Sequence, residues 1–416
     1  MKNIPPLTSA LTLTLTLTLT LTLTLTLTLT LLLSACQNTP QPPLPGTIAT
    51  ELYNRLQTQL IEAQPGDVIE IPEGRYAFDR PLSLDGVPRV TIRGAGMDKT
   101  VLYFKDQKVG AEGLRITADS VTVEGLAIMD TKGDAIKAQD CNGITIRNVK
   151  TSWSGGPDEA NGGYGLYPVS SKDVLIEGCE ASYASDAGIY VGQCENVVVR
   201  NCYAHENVAG IEIENCVNSE VYGNRAENNT GGILVFDLPE LPAGNGRGCK
   251  VYDNKIIENN HRNFAPEGNI VGIVPPGTGI ILLAAKGVEV YDNEIAGHKT
   301  VGTAIASYYI TEKPWNDENY DPHTYDVYIH GNTYRRKRAV PDLSKDFGKL
   351  VNFLFPGQPQ DILYDGIIDG ERPAGPNPMN ICIQQSGQDL RFADIDAAND
   401  FENVKTELGP YACSPD

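Results

Sequence analysis

The sequence of 416 residues is poor in basic side chains, histidine and tryptophan. Lysine and arginine number 33 against 53 acidic residues, so the formal net charge is -20. This balance argues against nucleic acid as a partner, because no basic stripe offsets the acidic surface. His205, His261, His298 and His330 show no metal-ligand spacing. Acidity leaves room for Ca²⁺, but no Asp/Asn loop of recognised spacing supports it, so we expect no cofactor.

A short phrase recurs through the chain, a valine or isoleucine followed two residues later by Gly, Asn or Asp. The tightest units repeat after roughly 22 residues, which is typical of a solenoid. The first residues of the phrase, called the anchors below, are Ile92, Val123, Ile146, Ile176, Val199, Val221, Val251, Val290 and Ile329. Gly, Asn and Asp suit a corner that needs positive φ.

The unit at residues 196–217 shows how each coil is built. It contains three short apolar runs with the alternation of half-buried strands. A leucine-rich repeat would need a leucine frame and a helical segment in each unit, and neither is present. The sequence therefore predicts an all-β, right-handed parallel β-helix of about nine to ten coils with three strands each.

Side chains at equivalent positions of successive coils should form ladders. One predicted column contains four asparagines, preceded by Cys179 and Cys202, and a second contains three cysteines and Ser171. The asparagines are Asn224, Asn254, Asn293 and Asn332; the cysteines of the second column are Cys141, Cys194 and Cys216. We interpret both columns as structural.

The phrases at residues 186–202 and 209–224 resemble the right-handed parallel β-helix repeat proteins of the pectin-lyase-like superfamily. The resemblance is closest to bacterial β-helix repeat lipoproteins of unassigned function, and it covers roughly residues 66–332. It implies the fold and says little about chemistry, since one scaffold hosts many functions.

Residues 1–36 are interpreted as a lipoprotein signal peptide. Residues 33–36, Leu-Ser-Ala-Cys, resemble the bacterial lipobox, which implies lipidation of Cys36. A permanent transmembrane helix and a plain secretory signal are the alternatives, because the Leu-Thr tract of residues 11–30 is long and uncharged. Gln37 lacks the acidity of an inner-membrane retention signal. We therefore expect a lipid-anchored protein of the bacterial cell envelope, in the outer membrane, periplasmic or surface-facing, and monomeric.

The remaining chain divides into three segments. Residues 37–48 are a Pro-rich tether, residues 49–334 are the β-helix with an N-terminal helical cap, and residues 335–416 are an irregular C-terminal flank and cap. Leu52, Leu56, Leu60 and Ala63 have helical spacing, with Thr50 as the expected N-cap. Cys382 and Cys413 lie in the non-repeating tail and are predicted to form a disulfide. We expect the six cysteines in or near the ladders to be buried free thiols.

In carbohydrate-active members of the superfamily, the resemblance implies a groove along one sheet, flanked by inserted loops. Insertions at residues 152–163, 236–248, 259–278 and 310–325 flank the strand marked by Gly-Ile. Its expected outward residues are Lys137, Tyr167, Tyr190, Glu212, Leu234 and Ile281. Trp153 and Trp315 lie in the insertions, where they either stack on sugar rings or pin their own loops. The predicted ligand-binding residues are Lys137, Tyr167, Tyr190, Glu212, Trp153 and Trp315.

Catalytic residues are harder to identify. Residues 131–135 lack the paired acids of a polygalacturonase-like hydrolase. Residues 321–323, Asp-Pro-His, echo a motif of alginate epimerases, but we expect them away from the groove strand and interpret the match as coincidental. Glu212, Asp186 and His323 remain candidates for catalysis. Polysaccharide or envelope-protein binding is the favoured function, and a polysaccharide lyase or uronate epimerase is the alternative. The basic residues 335–338 are interpreted as a solvated charge run, with contact to phosphate-rich lipid headgroups or a polyanion as the alternative.

Overall fold

The computed structural model describes residues 46–384 and 389–413. The predicted signal peptide, Cys36 and most of the tether lie outside these residues. The described residues form three parallel sheets of 11, 10 and 11 strands, and successive strands of the chain enter the three sheets in turn. This arrangement confirms the right-handed parallel β-helix with three strands per coil.

The strands of sheet 1 are Val68–Glu70, Thr91–Arg93, Val121–Glu124, Asn142–Arg147, Lys172–Glu177, Glu195–Arg200, Val217–Tyr222, Arg247–Tyr252, Lys286–Tyr291, Tyr325–His330 and Ile381–Gln384. The strands of sheet 2 are Gly74–Ala77, Thr100–Tyr103, Ala127–Met129, Lys150–Ser152, Glu180–Ser182, Tyr203–His205, Arg225–Glu227, Lys255–Ile257, Glu294–Ala296 and Thr333–Arg335. The strands of sheet 3 are Leu82–Asp85, Leu114–Thr117, Ile136–Gln139, Tyr164–Val169, Ala187–Gly192, Ala209–Glu214, Gly231–Phe236, Thr278–Leu283, Val301–Ala306, Gln360–Tyr364 and Phe392–Asp394. Helix α1 is Thr50–Glu62, helix α2 is Asp346–Leu354, and short 3₁₀ helices are Ile270–Ile273, Tyr308–Thr311, Ala397–Asn399 and Gly409–Tyr411.

The nine anchors form one column of sheet 1, each paired with the anchor of the next coil. All nine are buried, because alternate residues of each strand point into the core. Eight of the nine corner residues have φ between 51° and 67°. Gly94 is the exception, and it is needed for a different reason: a Cβ there would lie 2.3 Å from the Gly125 carbonyl oxygen.

The predicted asparagine column is a continuous hydrogen-bonded ladder. The Nδ2 of Asn224 donates to Asn254 Oδ1 at 3.0 Å, and the next two steps, to Asn293 and Asn332, are 2.9 Å each. Cys202 continues the column, since its amide donates to Asn224 Oδ1. A second ladder of the same kind, which was not predicted from the sequence, is formed by Asn207, Asn229 and Asn259. The six cysteines in and near the ladders are buried free thiols.

Helix α1 covers the first coil, with Leu56 and Leu60 buried. The side chain of Gln57 makes two hydrogen bonds of 3.0 Å to the backbone of Ser83, so it occupies an otherwise open strand edge. Ala49 is the N-cap residue and no side-chain cap is formed, so the prediction of Thr50 as N-cap is wrong. Thr50 instead begins the helix.

The β-helix extends beyond the predicted boundary at residue 334. Three strands, Gln360–Tyr364, Ile381–Gln384 and Phe392–Asp394, continue sheets 1 and 3, so this tail is only partly irregular. Cys382 of the last strand of sheet 1 forms the predicted disulfide with Cys413, with their Cα atoms 5.5 Å apart. Among the described residues, no helix combines the length and the apolar character that crossing a bilayer would require.

Candidate functional site

The outer face of sheet 3 is the face that the Gly-Ile pattern predicts as a groove. One outward column runs through Arg115, Lys137, Tyr167, Tyr190, Glu212, Leu234, Ile281 and Ala304. Its first three members are exposed or half-buried, and the rest are buried. The face is therefore open to solvent on the second to fourth coils and covered farther along.

The open part, formed by Arg115, Lys137, Gln139 and Tyr167, is called the open strip below. Lys137 Nζ lies 5.0 Å from the centroid of the Tyr167 ring, a cation–π contact. The Tyr167 ring also packs against Tyr164 and Tyr190, with centroid distances of 4.6 and 5.0 Å. These contacts fix the aromatic ring, so the strip is a preformed surface with cationic, amide and aromatic groups.

A cluster of three carboxyl groups lies beside the strip, under the insertion of residues 259–278. Asp186, Glu212 and Glu214 are 5%, 1% and 6% exposed. Asn269 of that insertion donates to Asp186 Oδ2 at 2.9 Å, and Tyr190 donates its hydroxyl proton to Glu214 Oε1. Glu212 Oε2 has no hydrogen-bond partner among the described residues.

Burial changes the charge of this cluster. Desolvation, together with the charge of Glu214, raises the pKa of Asp186 to about 7. Desolvation also raises the pKa of Glu214 to about 7, although the Tyr190 hydrogen bond opposes the change. The pKa of Glu212 is raised well above its usual value, first by burial and then by the charge of Asp186. These groups therefore hold protons near neutral pH and do not form an exposed anionic site.

The rest of the outer face is apolar and covered. Val271 and Val274 of the insertion and Val351 of α2 pack over Leu234 and Ile281 in one buried cluster. A cleft of about 360 Å³ remains between α2, the insertion and the sheet. The structure thus brings together Lys137, Tyr167, Tyr190, Glu212 and Asp186, but only the first two are accessible to a ligand.

The two tryptophans differ in accessibility. Trp153 is 4% exposed and its Nε1 donates to the Thr131 carbonyl oxygen at 2.8 Å. It pins its own loop, so the prediction that its ring contacts a ligand is contradicted by its burial. Trp315 is half-buried and packs edge-on against Tyr308, Tyr309 and Tyr320, with centroid distances from 5.3 to 5.8 Å.

His323 lines a separate cleft of about 860 Å³. Its Nδ1 lies 3.0 Å from Asp321 Oδ1, and its ring centroid lies 5.5 Å from that of Tyr309. Burial alone would raise the pKa of Asp321, but the side-chain and backbone hydrogen bonds from His323 bring it down to about 2. The amide of Tyr308 donates to Pro322, so the Asp-Pro-His phrase lies at the end of a sheet 3 strand. The expectation that it lies away from the groove strand is therefore wrong.

An aromatic ladder on sheet 1 was not identified from the sequence. The rings of Tyr222, Tyr252, Tyr291 and His330 are stacked, with centroid distances of 4.8, 4.8 and 5.0 Å and planes within 10°. The ladder could have been predicted from the sequence, because each of its aromatic residues directly follows an anchor. Ring faces in this ladder are occupied by neighbouring rings, so the ladder stabilises the fold rather than offering a sugar platform.

Two further groups considered in the sequence are the metal-ligating residues and the basic run at residues 335–338. Within the described residues, no group of three or more His, Cys, Asp and Glu has an arrangement that could hold a metal ion. Three members of the basic run at residues 335–338 form ion pairs: Arg335 with Glu294, Arg336 with Asp361 and Asp389, and Lys337 with Glu258.

Comparison with known proteins supports the fold. The model of the family described as right handed beta helix region matches residues 112–271. Pre-neck appendage proteins of Bacillus phages B103 and phi29 are each 24% identical, over 214 and 216 residues, 43% of this chain. The match spans 25% of the length of each phage protein.

Among solved structures, a polygalacturonase from Erwinia carotovora ssp. carotovora is 12% identical with a TM-score of 0.47, covering 73% of this chain and 96% of that chain. DFA-IIIase from Arthrobacter chlorophenolicus A6 is 11% identical with a TM-score of 0.49, covering 85% and 98%. The family match to residues 112–271 agrees with the right-handed parallel β-helix that the described residues form.

Proposed function

We propose that the chain is an envelope lipoprotein that binds a polysaccharide on the open strip of sheet 3. The observation that carries this proposal is the juxtaposition of Arg115, Lys137 and Tyr167 in one column, on a polar and aromatic part of the outer face that solvent reaches. Binding residues of glycan sites combine aromatic faces with a few placed polar groups, and the strip has both.

The neighbouring acids favour binding over catalysis. Asp186, Glu212 and Glu214 are buried, and the insertion of residues 259–278 separates them from solvent. A general acid or base must reach the proton that it transfers, which these groups cannot do in this conformation. Because the accessible groups are instead two cations, an amide and a tyrosine, a glycan bearing hydroxyl and carboxylate groups is the proposed ligand.

The cellular location belongs to the same proposal. Cys36, outside the described residues, follows a lipobox-like phrase, so the proposed anchor is an acyl group on that cysteine. We place the protein in the outer membrane, facing the periplasm or the cell surface, as a monomer. A partner protein of the envelope is the other class of ligand for the same strip.

A glycan array with the full-length chain tests the proposal. Tyr167→Ala and Lys137→Ala should each weaken binding of a hit about tenfold, or roughly 1.4 kcal/mol. Lys255→Ala, an exposed lysine on sheet 2, and Tyr309→Ala, in the His323 cleft, are the matched controls and should bind as the unaltered chain does. Equal affinity of the Tyr167 and control variants would refute the assignment of the strip.

The His323 cleft supports a second candidate, a polysaccharide lyase or epimerase. The bond from Nδ1 to Asp321 orients the ring and leaves Nε2 as the group that can accept a proton. Glu318, Asp369 and Glu371 line the same cleft, and their carboxylates would repel the uronate substrate that such an enzyme requires, which counts against this candidate. New chain ends or epimerised sugars that disappear in His323→Ala, but persist in Tyr167→Ala, would establish this activity.

A further inference from the structure

The C-terminal coils contain a basic cleft that stands out in a chain of net charge -20. This cleft, of about 450 Å³, is called the arginine cleft and is lined by Arg336, Lys337, Arg338, Gly357, Gln358 and Arg391. Four of its six residues are cations, and they come from two segments more than fifty residues apart. No carboxylate residue is part of the lining.

A buried acid below the cleft holds the two segments together. Asp361, 2% exposed on a sheet 3 strand, accepts hydrogen bonds through Oδ2 from the Arg336 guanidinium and from the backbone amide of Arg391, the latter at 2.8 Å. The position of these residues is therefore fixed from inside the fold. A run of charged surface residues that only contacts solvent has no buried carboxylate of this kind to hold it in place.

A glycine positions the third arginine. Gly357 has φ +68°, and a Cβ built on it would lie 3.3 Å from Arg338 Nε. The Arg338 side chain thus lies directly over the backbone of a tight turn. A side chain at residue 357 would strain that turn and shift the Arg338 guanidinium by a few tenths of an ångström.

The charges in the cleft are only partly compensated. Arg336 pairs with Asp361 and Asp389, and Lys337 pairs with Glu258. Among the described residues, Arg338 and Arg391 have no ion-paired carboxylate. These two guanidinium groups, which form no ion pair with a carboxylate of the described residues, match the charge of a phosphate monoester, about -1.5 to -2 at neutral pH. Guanidinium groups also bind phosphate through paired N–H donors, which lysine cannot do.

We propose that the arginine cleft binds a phosphate group, carried by a small molecule, a glycan or a lipid headgroup. This site is separate from the open strip, because neither Arg338 nor Arg391 belongs to the coils of sheet 3 that form the strip. Arg338 and Arg391 bind the phosphate oxygens, Arg336 and Lys337 supply further positive potential, and Asp361 holds Arg336 and the Arg391 backbone in place.

Calorimetric titration of the full-length chain in detergent, in buffer free of phosphate, tests the site with three probes. These are inorganic phosphate, glucose 1-phosphate and the soluble phospholipid dihexanoyl phosphatidic acid. At least one should bind, and the strongest identifies the source of the phosphate. The affinity should fall at least tenfold in the Arg338→Ala/Arg391→Ala double variant and several-fold in Gly357→Ala. Arg335→Ala, an exposed arginine outside the cleft, should stay within twofold.

Absence of binding by all three probes at millimolar concentration would overturn the proposal, as would equal affinity of the double variant. If the double variant does not fold, Arg338→Lys/Arg391→Lys replaces it. This variant keeps both charges and loses the paired donors, so weaker binding supports the site and unchanged binding contradicts it.

Discussion

The buried carboxyl cluster predicts that the fold loses stability as the solution becomes alkaline. Asp186 and Glu214 have folded pKa values of about 7, against ordinary values of 3.8 and 4.5. In the unfolded chain both groups are ionised at pH 7, whereas in the folded chain each is about half protonated. The stabilising protons are fully retained below the unfolded pKa and are lost as the pH rises through the folded pKa.

The size of the effect follows from the pKa values. Each pH unit between the unfolded and the folded pKa costs about 1.36 kcal/mol per group, and the loss levels off about one pH unit above the folded pKa. Raising the pH from 6.5 to 8 should therefore remove about 1 kcal/mol for each of Asp186 and Glu214, and about 2 kcal/mol for the pair. Burial lowers the pKa of His298 to about 4, so this histidine affects stability mainly at lower pH and does not mask the change.

Urea unfolding at pH 6.5 and 8 measures the difference. In Asp186→Asn/Glu214→Gln both side chains keep an acceptor for Asn269 and Tyr190, but neither ionises. Thiols and other groups titrate equally in both proteins, so the pH-dependent loss should be about 2 kcal/mol smaller in the double variant. Glu73→Gln, at an exposed position, is the control and should retain the full loss. A double variant with the pH dependence of the unaltered chain would refute the reasoning.

Three further predictions concern the scaffold. Asn254→Ala interrupts the asparagine ladder and leaves its neighbours' buried polar groups unsatisfied, so chemical unfolding should show a loss of about 2 to 3 kcal/mol. Asn319→Ala, at an exposed position outside the ladders, is the comparison and should be nearly neutral. Cys382→Ser removes the disulfide and should lower the free energy of unfolding by about 3 kcal/mol, a difference that vanishes when both proteins are reduced. Lys286→Met leaves the buried carboxylate of Asp237 without its cation, which should cost about 3 to 5 kcal/mol and lower Tm, whereas Lys255→Met should be nearly neutral.

The repeat allowed the coil architecture to be predicted because each coil meets the same local requirements. An anchor such as Val221 must be buried, and the corner residue two positions later must tolerate a left-handed backbone. The last strand of sheet 1 escaped the prediction because Ile383 is followed two positions later by glutamine, and not by Gly, Asn or Asp. Its place in the anchor column is visible only from its pairing with Ile329.

The candidate site was only partly predictable for a physical reason. Alternation correctly assigns Glu212 to the outer face, yet its exposure depends on Asn269 and its neighbours, which are more than fifty residues away. The alternation of residues around Glu212 carries no information on how the insertion of residues 259–278 crosses the sheet. The same applies to His323, whose place beside a sheet 3 strand depends on the backbone contact between Pro322 and Tyr308.

The asparagine ladder has a consequence for how such a chain can change length. Each amide bonds its counterpart in the next coil, at sequence separations of 30 or 39 residues, so the coils exchange the same contacts whatever their loops contain. Duplication or deletion of one whole coil would preserve every bond of the ladder and every left-handed corner. A partial duplication would place an asparagine opposite an apolar residue. The length of this protein can therefore evolve in steps of one coil, independently of the length of the inserted loops.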